Sequence, residues 1–249
     1  MDIIKIPKFT PSDTFLEGKE ILITGAGSGI GREVALACSK FGANLILLSK
    51  NSKKLYSLQD QIVANGYPEP LVVEFDFEKA KENDYLMLFE KLCEEYEKLD
   101  GLVHIAGILG YLSPILNTSL NQLKAVMRVN FESNFLLTQL CIPLLTNASN
   151  PSVIFTSSGV GRKGRAFWTS YSISKFAIEG LMQTLADEYE DDMRINSYNP
   201  GATKTAMRAQ AFPAEDPSTL KTPQERVNDY LWLLSDSNIS TGKTYDFYE

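Results

Sequence analysis

The chain has 249 residues, 44% of them hydrophobic, and a formal net charge of -7. A protein this acidic, with no clustered positive charge, is a poor partner for nucleic acid or an anionic membrane surface. No apolar run approaches the ~18 residues of a membrane span, and the length suits one α/β domain with a full core.

Residues 1–17 read as a short extension with turn residues Pro7, Pro11, Ser12 and Asp13, and Met1 to Lys8 lacks the apolar core of a signal peptide. Cys38, Cys93 and Cys141 are isolated, odd in number and without metal-ligand spacing, so a cytoplasmic protein with no metal site is expected. The single histidine, His104, lies in an apolar run that reads as a strand and is expected to be structural.

The first strand is predicted at Glu20–Thr24, followed at once by Gly25-Ala26-Gly27-Ser28-Gly29-Ile30-Gly31 and a helix from Arg32 to Lys40. Strand, glycine turn and helix form the first half of a dinucleotide-binding unit. Glycines let the backbone turn sharply against a pyrophosphate, and the N–H groups and dipole of the next helix face that anion. The spacing is Gly-x-x-x-Gly-x-Gly. A second strand, Asn44–Leu48, ends in Ser49 and Lys50, with Lys53 and Lys54 close behind. An acid at that end would bind a ribose 2′-hydroxyl and repel a 2′-phosphate; Ser with Lys accepts the phosphate, which predicts NADP(H) over NAD(H).

A helix over Ser52–Ala64 precedes a third strand, Leu71–Phe75, with Asp76 at its C-terminal end. A long amphipathic helix follows from Glu78 to Tyr96, then a fourth strand, Leu102–Ala106, ending in Gly107. Leu120 to about Leu145 reads as one long helix with Pro143 as its only breaker and Asn130 in its middle, an exposed polar position on the plainest reading. The fifth strand, Ser152–Thr156, runs into Ser157-Ser158-Gly159. A loop from Val160 to Ser170 carries Arg162, Lys163, Arg165, Phe167 and Trp168. A helix then reaches about Glu190, holding Tyr171 and Lys175 one turn apart on one face. A free phenol has a pKa of about 10, and a nearby cation lowers it, so the pair is the minimum equipment for a tyrosine general acid/base. A sixth strand, Arg194–Tyr198, a mobile flap over 202–222, a helix from Pro223 to Leu234 and a last strand, Lys243–Phe247, complete the chain. The alternation predicts a Rossmann-type three-layer αβα sandwich, one domain over 1–249, with a doubly wound, seven-stranded parallel sheet.

Jointly, Thr24-Gly25-x-x-x-Gly29-Ile30-Gly31, Asn130, Ser158, Tyr171-x-x-x-Lys175 and Asn199-Pro200-Gly201 resemble the short-chain dehydrogenase/reductase family in order and spacing. The stretch from Gly164-Arg165-Ala166 to Thr205-Ala206-Met207-Arg208 is similar to its YciK-like bacterial group. The resemblance implies roles. Tyr171 exchanges the proton of a carbonyl/alcohol pair, and Lys175 lowers its pKa and bonds the nicotinamide ribose. Ser158 holds the substrate oxygen, and Asn130 anchors a water that links Lys175 to solvent. Gly25, Ser28, Gly29, Ile30 and Gly31 wrap the pyrophosphate, Ser49 and Lys50 meet the 2′-phosphate, and Asp76 meets the adenine. Phe77, Ala106 and Gly107 complete the cofactor contacts, and Pro200, Gly201, Thr203 and Thr205 flank the nicotinamide. The resemblance also implies a small-molecule carbonyl or alcohol substrate and a homodimer or homotetramer. The substrate pocket is expected between Leu109–Ser113, Val160–Trp168 and the flap.

Two departures from the family pattern stand out. Ile105 replaces the second Asn of an Asn-Asn-Ala-Gly run, and the last strand ends Asp246-Phe247-Tyr248-Glu249 rather than Asp-Gly-Gly. Two competing readings are a catalytically silent dinucleotide-binding sensor and a methyltransferase. The first has no need of Asn130, Ser158, Tyr171 and Lys175 together. The second calls for an acid near Ser49 and has no use for the Tyr-Lys pair.

Overall fold

The computed structural model of the chain describes residues 3–247, so Met1, Asp2 and the departure at Tyr248-Glu249 lie outside the described residues. Its strands are β1 (Ile3–Lys5), β2 (Glu20–Thr24), β3 (Asn44–Ser49), β4 (Leu71–Glu74), β5 (Gly101–His104), β6 (Ser152–Thr156), β7 (Arg194–Asn199) and β8 (Thr244–Asp246). They form one 8-stranded sheet in the order β1-β8-β7-β6-β5-β2-β3-β4, with every pairing parallel. Its helices are α1 (Gly29–Lys40), α2 (Ser52–Ala64), α3 (Glu82–Glu95), α4 (Leu120–Met127), α5 (Ser133–Thr146), α6 (Thr169–Glu188), α7 (Ala206–Ala211) and α8 (Val227–Leu234).

Because side chains alternate across a strand, each buried strand feeds two cores. Ile21 and Ile23 of β2 with Leu45 and Leu47 of β3 pack against Val34 and Cys38 of α1, Leu58 of α2 and Leu231 of α8. The intervening Leu22, Ile46 and Leu48 pack on the other face with Leu88 of α3, Leu137 and Cys141 of α5 and Ile178 and Met182 of α6. The fold is therefore the expected doubly wound α/β sandwich, but with eight strands rather than seven. The extra one comes from the segment expected to be an extension, where Ile3, Ile4 and Lys5 pair with Thr244, Tyr245 and Asp246. Three residues are too short for periodicity to mark as a strand, and their partner lies at the far end of the chain.

The second difference lies in the long helix. It is interrupted not at Pro143, which α5 absorbs, but at Arg128–Glu132, a single π turn between α4 and α5. Asn130 sits in that turn and is fully buried, not exposed. Turns of this kind insert one residue into a helix and redirect a side chain, often at functional sites. The flap also differs from a structureless segment. It carries α7, and Thr203 bridges Lys221 across it.

His104 is buried as expected. Its ring stacks on Phe155 at 4.9 Å between centroids, and Nε2 lies 2.8 Å from Thr138 Oγ1. Burial first, then the Lys175 ammonium, pull its pKa down to about 3. The unfolded chain thus takes up this proton near pH 6.5, whereas the native state refuses it until about pH 3. Stability from this group is present above pH 6.5 and is lost as pH falls, at up to about 1.4 kcal/mol per unit. H104Q is expected to flatten the fall in urea midpoint between pH 6.5 and 4; an unchanged slope would place the acid lability elsewhere.

Candidate active site

The strand order reverses between β5 and β2, and in open parallel sheets ligands gather at the carboxyl ends beside such a switch. Both ends are glycine-rich here. Gly25 (φ 70°) and Gly29 (φ 57°) take left-handed conformations that other residues avoid. A Cβ on Gly25 would lie 2.8 Å from the Ala106 nitrogen, one on Gly27 would lie 2.7 Å from Ser49 Oγ, and one on Gly31 would overlap the Gly25 carbonyl. The turn is thus drawn tightly between β3, β5 and α1. Ser28 at the start of α1 is extended and makes no side-chain cap, and the first turn holds no acid. The first-turn amide N–H groups of a helix have no intrahelical acceptor, which suits an anion here. Ser49 is half-buried beside Gly27, and Lys50, Lys53 and Lys54 are exposed around it. The residues present therefore fit a phosphorylated dinucleotide.

Asp76 is half-buried; one oxygen accepts from the Glu78 amide at 3.1 Å, and the other meets Lys79 at 3.5 Å. Phe77 is turned inward against Phe75 and Tyr85, so it contributes packing to this rim. On the far side, Gly201 is left-handed at φ 67°, and a Cβ there would overlap the Phe247 ring. Asn199 Oδ1 accepts from the Gly201 amide at 3.0 Å, and Pro200 and Thr203 are buried. Thr205 caps α7 by accepting from the Arg208 amide at 3.2 Å, and its methyl would stand 3.5 Å from a Cβ on Gly29. The glycine turn and the flap therefore face each other across the crevice.

Ile105 cannot use its side chain as an Asn would. Instead Thr24 Oγ1 accepts from the Ile105 amide at 3.0 Å and the Ala106 amide at 3.1 Å. The end of β5 is fixed from β2 by one hydroxyl, and Ile105 is free to pack into the apolar layer.

Tyr171 and Lys175 rise from the first turns of α6, both buried. Lys175 Nζ donates to the Thr156 carbonyl at 2.7 Å and lies 5.6 Å from the centre of the Tyr171 ring. Burial pushes the Tyr171 phenol up to about 12, against the Ser158 side chain, which lowers it. The expected net lowering of the phenol is thus reversed in sign, because burial outweighs any pull of the Lys175 ammonium. In the protein alone the ammonium is directed at a backbone carbonyl. Burial likewise pulls Lys175 down to about 8, against the Glu179 carboxylate, which raises it.

Asn130 sits beside this group without touching Lys175. Its Oδ1 accepts from the Ile108 amide at 2.8 Å, and its Nδ2 donates to the Ile108 carbonyl at 3.0 Å and to Ser174 Oγ at 3.0 Å. A Cβ on Gly107 would lie 3.3 Å from its Oδ1, a tight approach that glycine relieves.

Glu179 has no role assigned from sequence, and Arg162 and Trp168 are expected here only as part of the pocket wall. Glu179 continues the Tyr171/Lys175 stripe by another turn and is buried. Its carboxylate accepts from Ser157 Oγ at 2.5 Å, Ser197 Oγ at 2.7 Å and Thr244 Oγ1 at 3.1 Å. Arg162 Nε reaches the same carboxylate at 3.3 Å, and Arg162 also bonds Asp246 and the Tyr245 carbonyl. The spacing along α6 was the available signal. Over Tyr171, Trp168 packs edge-on at 5.8 Å, and Phe212 of the flap packs on Trp168 at 5.8 Å. Ser113 joins this wall by donating its amide to the Phe167 carbonyl at 3.0 Å, and Gln210 Nε2 donates to the Gly110 carbonyl at 2.8 Å. The three segments expected to line a pocket are thus laced together.

A family model described as short chain dehydrogenase matches residues 19–216. The oxidoreductase YciK of Escherichia coli K12 is 43% identical over 239 residues, 96% of this chain and 95% of that protein. A short chain dehydrogenase from Escherichia coli CFT073 solved with NADPH superposes with a TM-score of 0.93 at 43% identity, over 95% of this chain and 99% of its own. One from Shigella flexneri 2a, solved with NADP, gives 0.92 at 43% identity, over 94% and 99%. Among the described residues no helix is long and apolar enough to cross a membrane.

Proposed function

The chain belongs to the short-chain dehydrogenase family of NAD(P)-dependent oxidoreductases, and from that premise we propose that it interconverts a carbonyl compound and an alcohol with NADP(H), using Tyr171 as general acid/base. The observation that carries this reading is the buried pair on α6, with the Lys175 ammonium 5.6 Å from the centre of the Tyr171 ring. The bound dinucleotide supplies the hydride. Everything else falls to the chain. Ser158 donates to the substrate oxygen and holds it beside the Tyr171 hydroxyl. Tyr171, protonated at neutral pH, gives its proton to the oxygen as negative charge develops there. Lys175 stabilises the phenolate that remains. Asn130 fixes the Ile108 backbone and Ser174, and through them the wall of the cleft. The test is oxidation of NADPH, followed in absorbance, against a panel of aldehydes and ketones; no turnover with any of them would count against it.

NADP(H) preference rests on Ser49 and Lys50 here and on the two relatives crystallised with NADP and NADPH. K50E is expected to weaken NADPH binding by about tenfold or more and leave NADH affinity nearly unchanged. Equal losses for both would move the 2′-phosphate site away from β3. A homodimer or homotetramer through α5 and α6 is the expected assembly. Phe135, Ile173 and Phe176 stand 42%, 45% and 45% exposed on those helices, and such apolar faces usually pair. Sedimentation equilibrium giving a monomer at micromolar concentration would refute it.

A further inference from the structure

The loop before α6 holds two cations that the chemistry above leaves idle, Lys163 and Arg165, and of the two Arg165 is the one set over aromatic rings. Arg162 is committed to Glu179 and Asp246, and Arg208 to Glu215. Arg165 has no carboxylate partner and no side-chain hydrogen bond among the described residues, yet it is held in place. Its guanidinium lies 5.9 Å from the centre of the Trp168 ring and 5.4 Å from that of Phe212. The backbone that presents it is unusual too. Phe167 adopts φ 74°, a costly conformation for an aromatic residue, and its carbonyl is pinned by the Ser113 amide. Such strain persists where the surrounding structure fixes a side chain's direction.

Resting on the carbonyl-reductase reading, we propose that Arg165 binds the carboxylate of the substrate, which is an oxo acid with an apolar spacer between its carbonyl and its acid group. A guanidinium stacked on an aromatic ring keeps its N–H donors free at the edge, remains charged at every working pH, and matches a carboxylate in two-point geometry. Trp168 links the two ends. Its ring is 5.8 Å from that of Tyr171 and 5.9 Å from the guanidinium. A substrate spanning that path lies on Trp168 and Phe212, which calls for methylene or aryl carbons between its polar ends, and Phe212 brings the flap down with it.

The test compares oxo acids of increasing length with their methyl esters, NADPH being present. For the best length, kcat/KM should favour the acid by about tenfold, through KM, and the acid-to-ester ratio should fall about tenfold in R165Q and recover in part in R165K. Esters turned over as well as acids by the wild-type enzyme would overturn the assignment and leave the reductase reading intact; an acid preference unchanged in R165Q would do the same. A second readout needs no turnover. With NADPH bound, 4-phenylbutanoate should quench the intrinsic tryptophan fluorescence saturably, the uncharged amide should not, and R165Q should need about tenfold more acid. Equal quenching by acid and amide, or by wild type and variant, overturns it.

Discussion

Y171F is expected to lower kcat by about 10²–10⁴ while NADPH affinity stays nearly unchanged, because it deletes one proton donor and almost no volume. The ring would still pack edge-on against Trp168 at 5.8 Å, so the cleft should keep its shape. The pH profile gives an independent check. The phenol, pushed up to about 12, holds its proton throughout the neutral range, so carbonyl reduction starts with the acid in place. Lys175, pulled down to about 8, carries its charge below that pH and sheds it above. Reduction should therefore fall as pH rises through about 8, and alcohol oxidation, which needs the phenolate, should gain with rising pH until the same loss of charge limits it. Stopped-flow NADPH oxidation and a fluorescence titration of NADPH on Y171F would decide the matter. Loss of cofactor binding in step with turnover would make Tyr171 a structural residue.

E179A is expected to cost about 3 kcal/mol, toward the low end for breaking a buried charge pair because Asp246 still faces Arg162. The three hydroxyls of Ser157, Ser197 and Thr244 lose an acceptor in the same step. For a chain of this length that corresponds to a fall in Tm of roughly 6–12 °C. E179Q, which keeps the acceptor oxygen but not the charge, should cost less. It should also move the alkaline limit of reduction to lower pH, because Lys175 loses the carboxylate that raises its pKa. Glu179 is in this sense a positioning residue for Lys175. If E179Q were destabilised and its alkaline limit stayed where it was, the residue would serve the fold alone.

What sequence could reveal divides by range. The glycine turn, the strand that precedes it and the Tyr171/Lys175 stripe are local patterns, and the structure gathers their residues at one edge of the sheet. β6 falls on Ser152–Thr156 and α2 on Ser52–Ala64, as their apolar runs predict. Glu179 was illegible for a physical reason. In a chain with 31 acidic residues, one more glutamate on a helix reads as solvent-facing, and nothing nearby in sequence names the four groups that satisfy it. Asn130 misled for the opposite cause. Helical periodicity assumes a constant rotation per residue, and the backbone it sits on does not obey that assumption. Thr24 could be seen as the residue before the first glycine, but its service to Ile105 and Ala106 depends on β2 and β5 lying side by side. The tyrosine pKa was misjudged because proximity to a cation is local, whereas the burial that outweighs it is a property of the whole cleft.

The π turn at Arg128–Glu132 carries an evolutionary consequence. Deleting one residue there would restore uniform α-helical hydrogen bonding from Leu120 to Thr146, a change that helix energetics alone would favour. The helices on either side would keep nearly their present directions, because the wide turn already absorbs the extra residue, but the bulge that aims Asn130 would be gone and Asn130 would release Ile108 and Ser174. A lineage selected purely for thermal hardiness should drift toward that deletion and lose turnover as it does. One that retains the extra residue records that catalysis, rather than robustness, has been under selection.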